Sequence, residues 1–154
     1  MADGSTRSPL AQKALAQKAQ REKQAQEAVN KEQTAQLRVE MLGEKWADIK
    51  QELLQCCNDI NAELTDTGTS ISPNKAPDSP KGLFSGEYVI TVMREGVSDR
   101  SQTFTLRFSK TGTLIILEAL GMGRSRGEHH IEAEDLERGS VDTYLRAFVN
   151  AALS

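Results

Sequence analysis

The stretch from Leu10 to Leu64 constrains the fold most, because it contains no proline and only one glycine, Gly43. Ala, Gln, Glu, Lys and Leu fill most of it, and all of these favour helix. Pro9 and Ser8 suit a helix start, as a first-turn proline and an N-cap. The pattern predicts one long helix over residues 10–64 after a disordered tail over residues 1–9. Such a helix would be ~80 Å long.

An apolar seam occupies the second half of this predicted helix, over residues 35–64. Its members follow alternating steps of four and three residues from Ala35 onward. This is the 3.5-residue period of helices that pair side by side. Extended backwards, the same register meets mainly alanines and charged residues. We expect the seam to form an oligomer interface, made by Val39, Leu42, Trp46, Ile49, Leu53, Cys56 and Ile60.

Two adjacent cysteines, Cys56 and Cys57, lie near the end of the seam. Free cysteine is among the most buried residue types, so packing is the first interpretation. A zinc site needs about four ligands, and neither a Cys-x-x-Cys pair nor a nearby histidine is present. The two cysteines are predicted to be packed, reduced thiols without a metal. A reducing, cytoplasmic location is expected with them.

The second half of the chain has a different pattern. Residues 65–85 hold Pro73, Pro77 and Pro80 and are predicted to be a linker. β-Branched and aromatic residues then predict four antiparallel strands, over residues 87–94, 102–108, 113–120 and 129–134. Gly112 is expected at the left-handed position of a hairpin that pairs Phe108 with Leu114.

The last segment predicts a short amphipathic helix after Ser140, which is expected to be its N-cap. Its apolar stripe consists of Val141, Tyr144, Leu145, Phe148 and Ala152. The fold class is therefore α+β: a long N-terminal helix, a proline-rich linker, and a four-stranded antiparallel meander with a C-terminal helix over residues 86–154. The outer sheet face mixes Val89, Met93, Ile115 and Leu117 with polar residues. Either it is partly covered, or these are ordinary surface residues.

A strand of eight residues spans ~27 Å, much less than the predicted helix. We therefore expect the helix to pair in a homodimer or a higher homo-oligomer. A second protein is the other expected partner. The primary interpretation is a non-enzymatic interaction module, such as an adaptor, chaperone-like or assembly protein. No catalytic or cofactor-binding residue is assigned. No apolar run reaches the ~18 residues of a membrane span.

Two other function classes remain open. The first 23 residues carry five basic side chains against two acidic ones. Together with Arg124 and Arg126 in a glycine-rich loop, which suit an anion, they favour nucleic-acid binding. The third class is a metal-dependent enzyme. His130, Glu132 and Glu134 would share one strand face and are the only histidine-carboxylate cluster.

Overall fold

The computed structural model describes residues 8–76, 84–121 and 126–154, except for the side chain of Arg126. The chain divides into two compact units, residues 1–40 and residues 41–154. The described elements are α1 (Pro9–Glu63), β1 (Thr69–Lys75), β2 (Phe84–Arg94), β3 (Gln102–Ser109), β4 (Thr113–Leu120), β5 (Arg126–Glu132), a 3₁₀ turn (Ala133–Asp135) and α2 (Ser140–Leu153).

The start of α1 agrees with the sequence. The Ser8 hydroxyl accepts a hydrogen bond from the Ala11 N–H at 3.1 Å, and Pro9 is the first helical residue. The cap satisfies an N–H that has no partner inside the helix. The predicted helix over residues 10–64 is therefore confirmed to within one residue at each end. Residues 1–7 of the predicted tail lie outside the described part of the chain.

The sheet has five antiparallel strands in the order β1-β2-β3-β4-β5, so the prediction of four was one short. The missed strand, β1, lies in the predicted linker and contains Pro73. Alternate main-chain groups of an edge strand point away from the sheet. The missing N–H of Pro73 lies on that outward side, so the proline costs no hydrogen bond to β2. Residues 77–83 of the predicted linker are outside the described residues.

The β3–β4 hairpin follows its prediction. Phe108 pairs with Leu114, and Leu106 pairs with Ile116. Gly112 has a φ of 96°, a left-handed conformation that favours glycine, and its N–H donates to the Ser109 carbonyl at 3.1 Å. The register therefore places the alternating Phe104, Leu106 and Phe108 on one face of the sheet, where all three are buried.

The core of the second unit lies between this inner sheet face and two helices. The part of α1 from Leu42 to Ile60 contributes seven buried residues. Helix α2 contributes five more, and its Phe148 ring lies 5.6 Å from that of Phe104. Four members of the predicted C-terminal stripe are buried. The fifth, Tyr144, is half-buried and contacts the His129 ring at 4.9 Å.

Helix α2 begins differently from its prediction. Gly139, with a φ of 93°, is the N-cap residue, and no side chain caps the helix. Ser140 is the first helical residue, and its hydroxyl accepts from the Glu137 N–H at 3.1 Å. The Ser140 prediction was wrong because the left-handed turn at Gly139 begins the helix one residue earlier. The hydroxyl therefore stabilises the preceding turn.

The outer sheet face carries Val89, Met93, Ile115 and Leu117, as the alternation predicts. All four are half-buried. Helices α1 and α2 supply the core on the opposite face. The outer face thus shields its apolar residues mainly through neighbouring strands, since Val89 pairs with Thr105, and Leu117 with Thr105 and Glu128.

Candidate functional site

The predicted oligomer interface is mostly internal to the second unit. Leu53 has no exposed surface, and five other predicted members are also buried: Leu42, Trp46, Ile49, Cys56 and Ile60. These six positions therefore cannot offer a surface to another chain. The prediction was wrong for them because a 3.5-residue period also suits a helix that packs on a sheet, and the missed strand enlarged that sheet.

Trp46 shows how the seam is covered. Its indole stacks on the Phe108 ring at 5.7 Å with an interplanar angle of 4°, and it contacts the Tyr88 ring at 6.3 Å. Trp46 is therefore a packing anchor within the core of its own chain. Such stacked pairs add to the stabilisation from area burial alone.

Val39 is the exception among the predicted interface residues, because 69% of it is exposed. It belongs to the first unit, whose described residues 8–40 are all exposed except the half-buried Ala11. Leu10 is 79% exposed and Leu37 is 65% exposed. Large apolar side chains on this helix therefore remain in contact with water in the single chain.

Three of the five exposed large apolar residues described in this unit, Leu15, Val29 and Val39, lie on or beside the register that extends the seam backwards through alanines. Ala11, Ala14 and Leu15 recur fourteen residues later as Ala25, Ala28 and Val29. Fourteen residues are close to four helical turns, so both triplets lie on the same face. Val39 continues the series. We call this face the alanine stripe, formed by Ala11, Ala14, Leu15, Ala25, Ala28, Val29, Ala35 and Val39.

Charged residues interrupt the alanine stripe at three positions, Lys18, Arg21 and Glu32. They occupy the seven-residue steps between the alanines. Lys13 and Lys23, which the sequence suggested for nucleic-acid binding, lie on other faces of the helix. The basic side chains of α1 therefore do not form one continuous stripe along this unit.

The predicted anion site cannot be built from the described residues. Arg124 lies outside them, and only the backbone of Arg126 is described.

The predicted histidine-carboxylate cluster is divided between two elements. His130 and Glu132 are in β5, but the strand ends at Glu132, and Glu134 lies in the 3₁₀ turn. The three residues therefore do not share one strand face, which corrects the prediction. His130 Nε2 lies 2.8 Å from Glu128 Oε1. Within residues 8–76, 84–121 and 126–154, no group of three His, Cys, Asp or Glu residues is arranged to hold a metal ion.

A chain of polar contacts links α1 to α2 in the second unit. The Cys56 thiol donates to Asp142 Oδ1 at 2.9 Å. Arg146 Nε donates to the same oxygen at 3.0 Å, and Arg146 Nη1 donates to both Glu63 carboxylate oxygens at 2.8 and 3.0 Å. The hydrogen bond from Cys56, followed by Arg146, holds the pKa of Asp142 below its usual range. The hydrogen bond to Glu63, then that to Asp142, raises the pKa of Arg146.

Burial keeps both cysteine thiols protonated near neutral pH. Burial is the largest cause that raises the pKa of Cys56 far above its ordinary value, followed by the hydrogen bond to Asp142. Burial also raises the pKa of Cys57 to about 11. Because the thiolate is the nucleophilic form, neither sulfur suits catalysis near neutral pH. Both thiols are free, which agrees with the packing interpretation.

A groove of about 840 Å³ lies beside this chain of contacts, between α1 and the segment that leads into α2. Lys45 crosses one end and donates to the Leu136 carbonyl at 3.3 Å. Glu52 turns one buried carboxylate oxygen into the structure without a hydrogen-bond partner among the described residues. The lining mixes acidic and basic side chains.

Comparison with known proteins leaves these surfaces without a precedent. No family model, curated protein or solved structure matches this chain. Function must therefore be inferred from its own residues. Among the helices that the structure describes, none combines the length and the apolar character needed to cross a bilayer.

Proposed function

We propose that this protein is a non-enzymatic interaction module that self-associates through the alanine stripe, the helix face defined above between Ala11 and Val39. The observation that carries the proposal is the exposure of apolar side chains along this face, with Val39 as its most exposed large member. A helix gains most of its stability in a protein from packing an apolar face. The same face of a second copy has matching chemistry and length.

The small side chains suit a close helix pair. Alanines occupy most of the stripe and let two backbones approach closely, whereas Leu15 and Val29 at its margin add larger apolar area. Ala, Gln, Glu and Lys also keep the intrinsic cost of the helix low. Such a pair would use the 3.5-residue period that the second half of α1 uses on its own sheet.

The charges within the stripe favour an antiparallel arrangement. In a parallel pair, Arg21 would face Arg21, and Glu32 would face Glu32, so like charges would repel. In an antiparallel pair centred between Ala25 and Ala28, Arg21 of one copy faces Glu32 of the other, twice. Ala14 then faces Val39 across the pair. Opposite charges at such positions select partner orientation more than they add stability.

The second unit supports an interaction role over catalysis. Its two cysteine thiols, Cys56 and Cys57, are buried and held protonated, so neither suits nucleophilic chemistry near neutral pH. Its core is complete within one copy, so it can remain folded while the first unit pairs. In this proposal the pair of helices carries two copies of the sheet unit, each with surfaces available to other proteins.

The test is the mass of the full chain in sedimentation equilibrium. We expect a species of twice the 16.9 kDa chain mass. Replacing Ala25 and Ala28 with Asp should dissociate it, because both substitutions place charge in the pair. The matched control replaces Ala16 and Ala19 with Asp. These alanines belong to the same helix but lie on the opposite face, so the helix-propensity cost is the same.

A charge-swap experiment tests orientation. Arg21→Glu alone should weaken the dimer, because it leaves Glu32 of the other copy facing a like charge. Combining Arg21→Glu with Glu32→Arg should restore it in an antiparallel pair. A chain that stays monomeric at every accessible concentration would contradict the proposal. Equal dissociation of the dimer by the Ala25/Ala28 and the Ala16/Ala19 aspartate variants would also contradict it.

A further inference from the structure

The two edges of the sheet differ in whether their outward-facing main-chain groups already have hydrogen-bond partners. Directly after β5, the Ala133 N–H donates to the Gly112 carbonyl at 2.7 Å. Main-chain groups alternate along an antiparallel strand, so the groups of Ile131 and His129 also face β4. Those of Glu128, His130 and Glu132 face away from the sheet. Because β5 is the last strand in the sheet order, no described strand meets them.

The opposite edge, β1, is closed. The Asn61 side chain bonds both main-chain groups of Ile71, donating to its carbonyl at 2.9 Å and accepting from its N–H at 2.8 Å. The Thr69 N–H donates to the Thr67 hydroxyl at 3.2 Å, and Pro73 has no N–H. Three successive outward positions of β1, Thr69, Ile71 and Pro73, therefore offer no free N–H to another strand. Proteins commonly protect edge strands in these ways.

The open edge is acidic. Glu128, His130 and Glu132 are exposed, and their side chains share the outer face of the sheet. Glu128 contacts His130, and Glu132 accepts from the Thr113 hydroxyl at 3.1 Å. Each carboxylate still keeps an oxygen for which the described structure shows no hydrogen bond. A strand placed alongside would meet negative charge at two positions four residues apart.

This charge pattern selects among possible occupants. If β5 paired antiparallel with β5 of a second copy about His130, Glu128 of each copy would face Glu132 of the other. Like charges directly opposite each other in a sheet are destabilising. A strand with Lys or Arg at alternating positions would instead place a cation opposite each carboxylate. In that register, charge complementarity favours a basic extended segment over a second copy.

We propose that the β5 edge from Glu128 to Glu132 binds an extended segment of another protein with Lys or Arg at alternating positions, which adds as a sixth strand. Its main chain would hydrogen-bond to the outward groups of Glu128, His130 and Glu132. Its basic side chains would contact the two glutamates. This is the strand-addition mode, in which main-chain bonds supply affinity and side chains supply specificity.

The probe is an acetylated, amidated heptapeptide in which lysine alternates with valine, added to the full chain at low salt. Amide hydrogen exchange by NMR should first show fast exchange at Glu128, His130 and Glu132, and slow exchange at His129 and Ile131. Peptide at about ten times its dissociation constant should slow the first three about tenfold and leave the other two unchanged.

Two matched probes separate strand addition from simple attraction. A peptide with N-methyl groups on the amides that face β5 keeps its charge but cannot donate main-chain hydrogen bonds to β5. A peptide with glutamate in place of lysine keeps the amides but reverses the charge. We expect each to bind at least about tenfold more weakly. Equal binding of the methylated peptide would overturn the proposal in favour of a purely electrostatic contact.

Variants of the protein complete the test. The pair Glu128→Gln and Glu132→Gln should weaken the lysine peptide while leaving the fold intact, because both side chains are exposed. His130→Pro should remove the central main-chain bond without breaking the bond pattern to β4. No binding of the lysine peptide at millimolar concentration would overturn the proposal. A drop in the oligomer mass measured in solution on His130→Pro alone would also overturn it. That result would assign this edge to a second copy.

Discussion

The indole of Trp46 lies in the space that a Cβ atom at position 86 would occupy. Gly86 lies in β2, beside an irregularity in its pairing with β3, and a methyl group there would overlap three atoms of the indole. The ring stacks on Phe108 at the same time, so it has little room to move aside. The glycine on the strand and the tryptophan on the helix are therefore one packing unit.

Gly86→Ala is expected to lower the free energy of unfolding by about 1–3 kcal/mol, the usual cost of forcing extra volume into a packed core. The matched control is Gly43→Ala. Gly43 lies in α1 with nothing within 4 Å of an added Cβ, so the change should stabilise by roughly 0.5–1 kcal/mol. Urea denaturation measures both. A double-mutant cycle with Trp46→Ala should relieve most of the Gly86→Ala cost, and strict additivity would contradict the contact.

Asn61→Ala should destabilise the edge strand by about 1–3 kcal/mol, because it leaves the N–H and carbonyl of Ile71 without their partner. Asn58→Ala is the control. It makes the same change at an exposed position of the same helix, so the gain in helix propensity is shared by both variants. The expected local effect is faster hydrogen exchange of the Ile71 amide in the Asn61→Ala variant only. Unchanged protection of Ile71 would show that the side chain does not close this edge.

The buried thiols should make the protein less stable at alkaline pH. Burial raises the pKa of Cys57 from its ordinary value of 9.0 to about 11. As pH rises through 9, the unfolded chain therefore loses this proton before the folded chain does. Stability should fall between these two values and then level off for this group. Cys57→Ala should remove roughly 2 kcal/mol of that decline, at the cost of some packing at all pH values.

Chemical denaturation of wild type and Cys57→Ala at several pH values between about 8 and 11 measures this difference. The two stability curves should converge as pH rises, because only the wild type carries the titrating thiol at position 57. Stability curves that stay parallel across the whole pH range would contradict the role assigned to the Cys57 thiol. The native cysteines should also react slowly with a thiol reagent at neutral pH and quickly after unfolding.

Much of the fold was predictable because local patterns suffice for it. The helix start at Ser8 and Pro9, the Gly112 hairpin and the pairing of Phe108 with Leu114 depend on neighbours in sequence. Strand β1 was missed because the outward direction of the Pro73 nitrogen depends on which edge of the sheet the strand joins. The prediction of Ser140 as the N-cap was wrong for a similar reason, since Gly139 turns the chain one residue earlier.

The candidate sites show the same division. The sequence by itself determined that α1 has an apolar face from Leu42 to Ile60, since helical spacing alone puts these side chains together. Only the tertiary structure decided that this face meets its own sheet, because a periodic pattern records which side of a helix is apolar but not what covers it. It also decided that β1 is a closed edge and β5 an open one. That difference depends on Asn61 reaching Ile71 across a turn, a contact between side chain and main chain that no local pattern encodes.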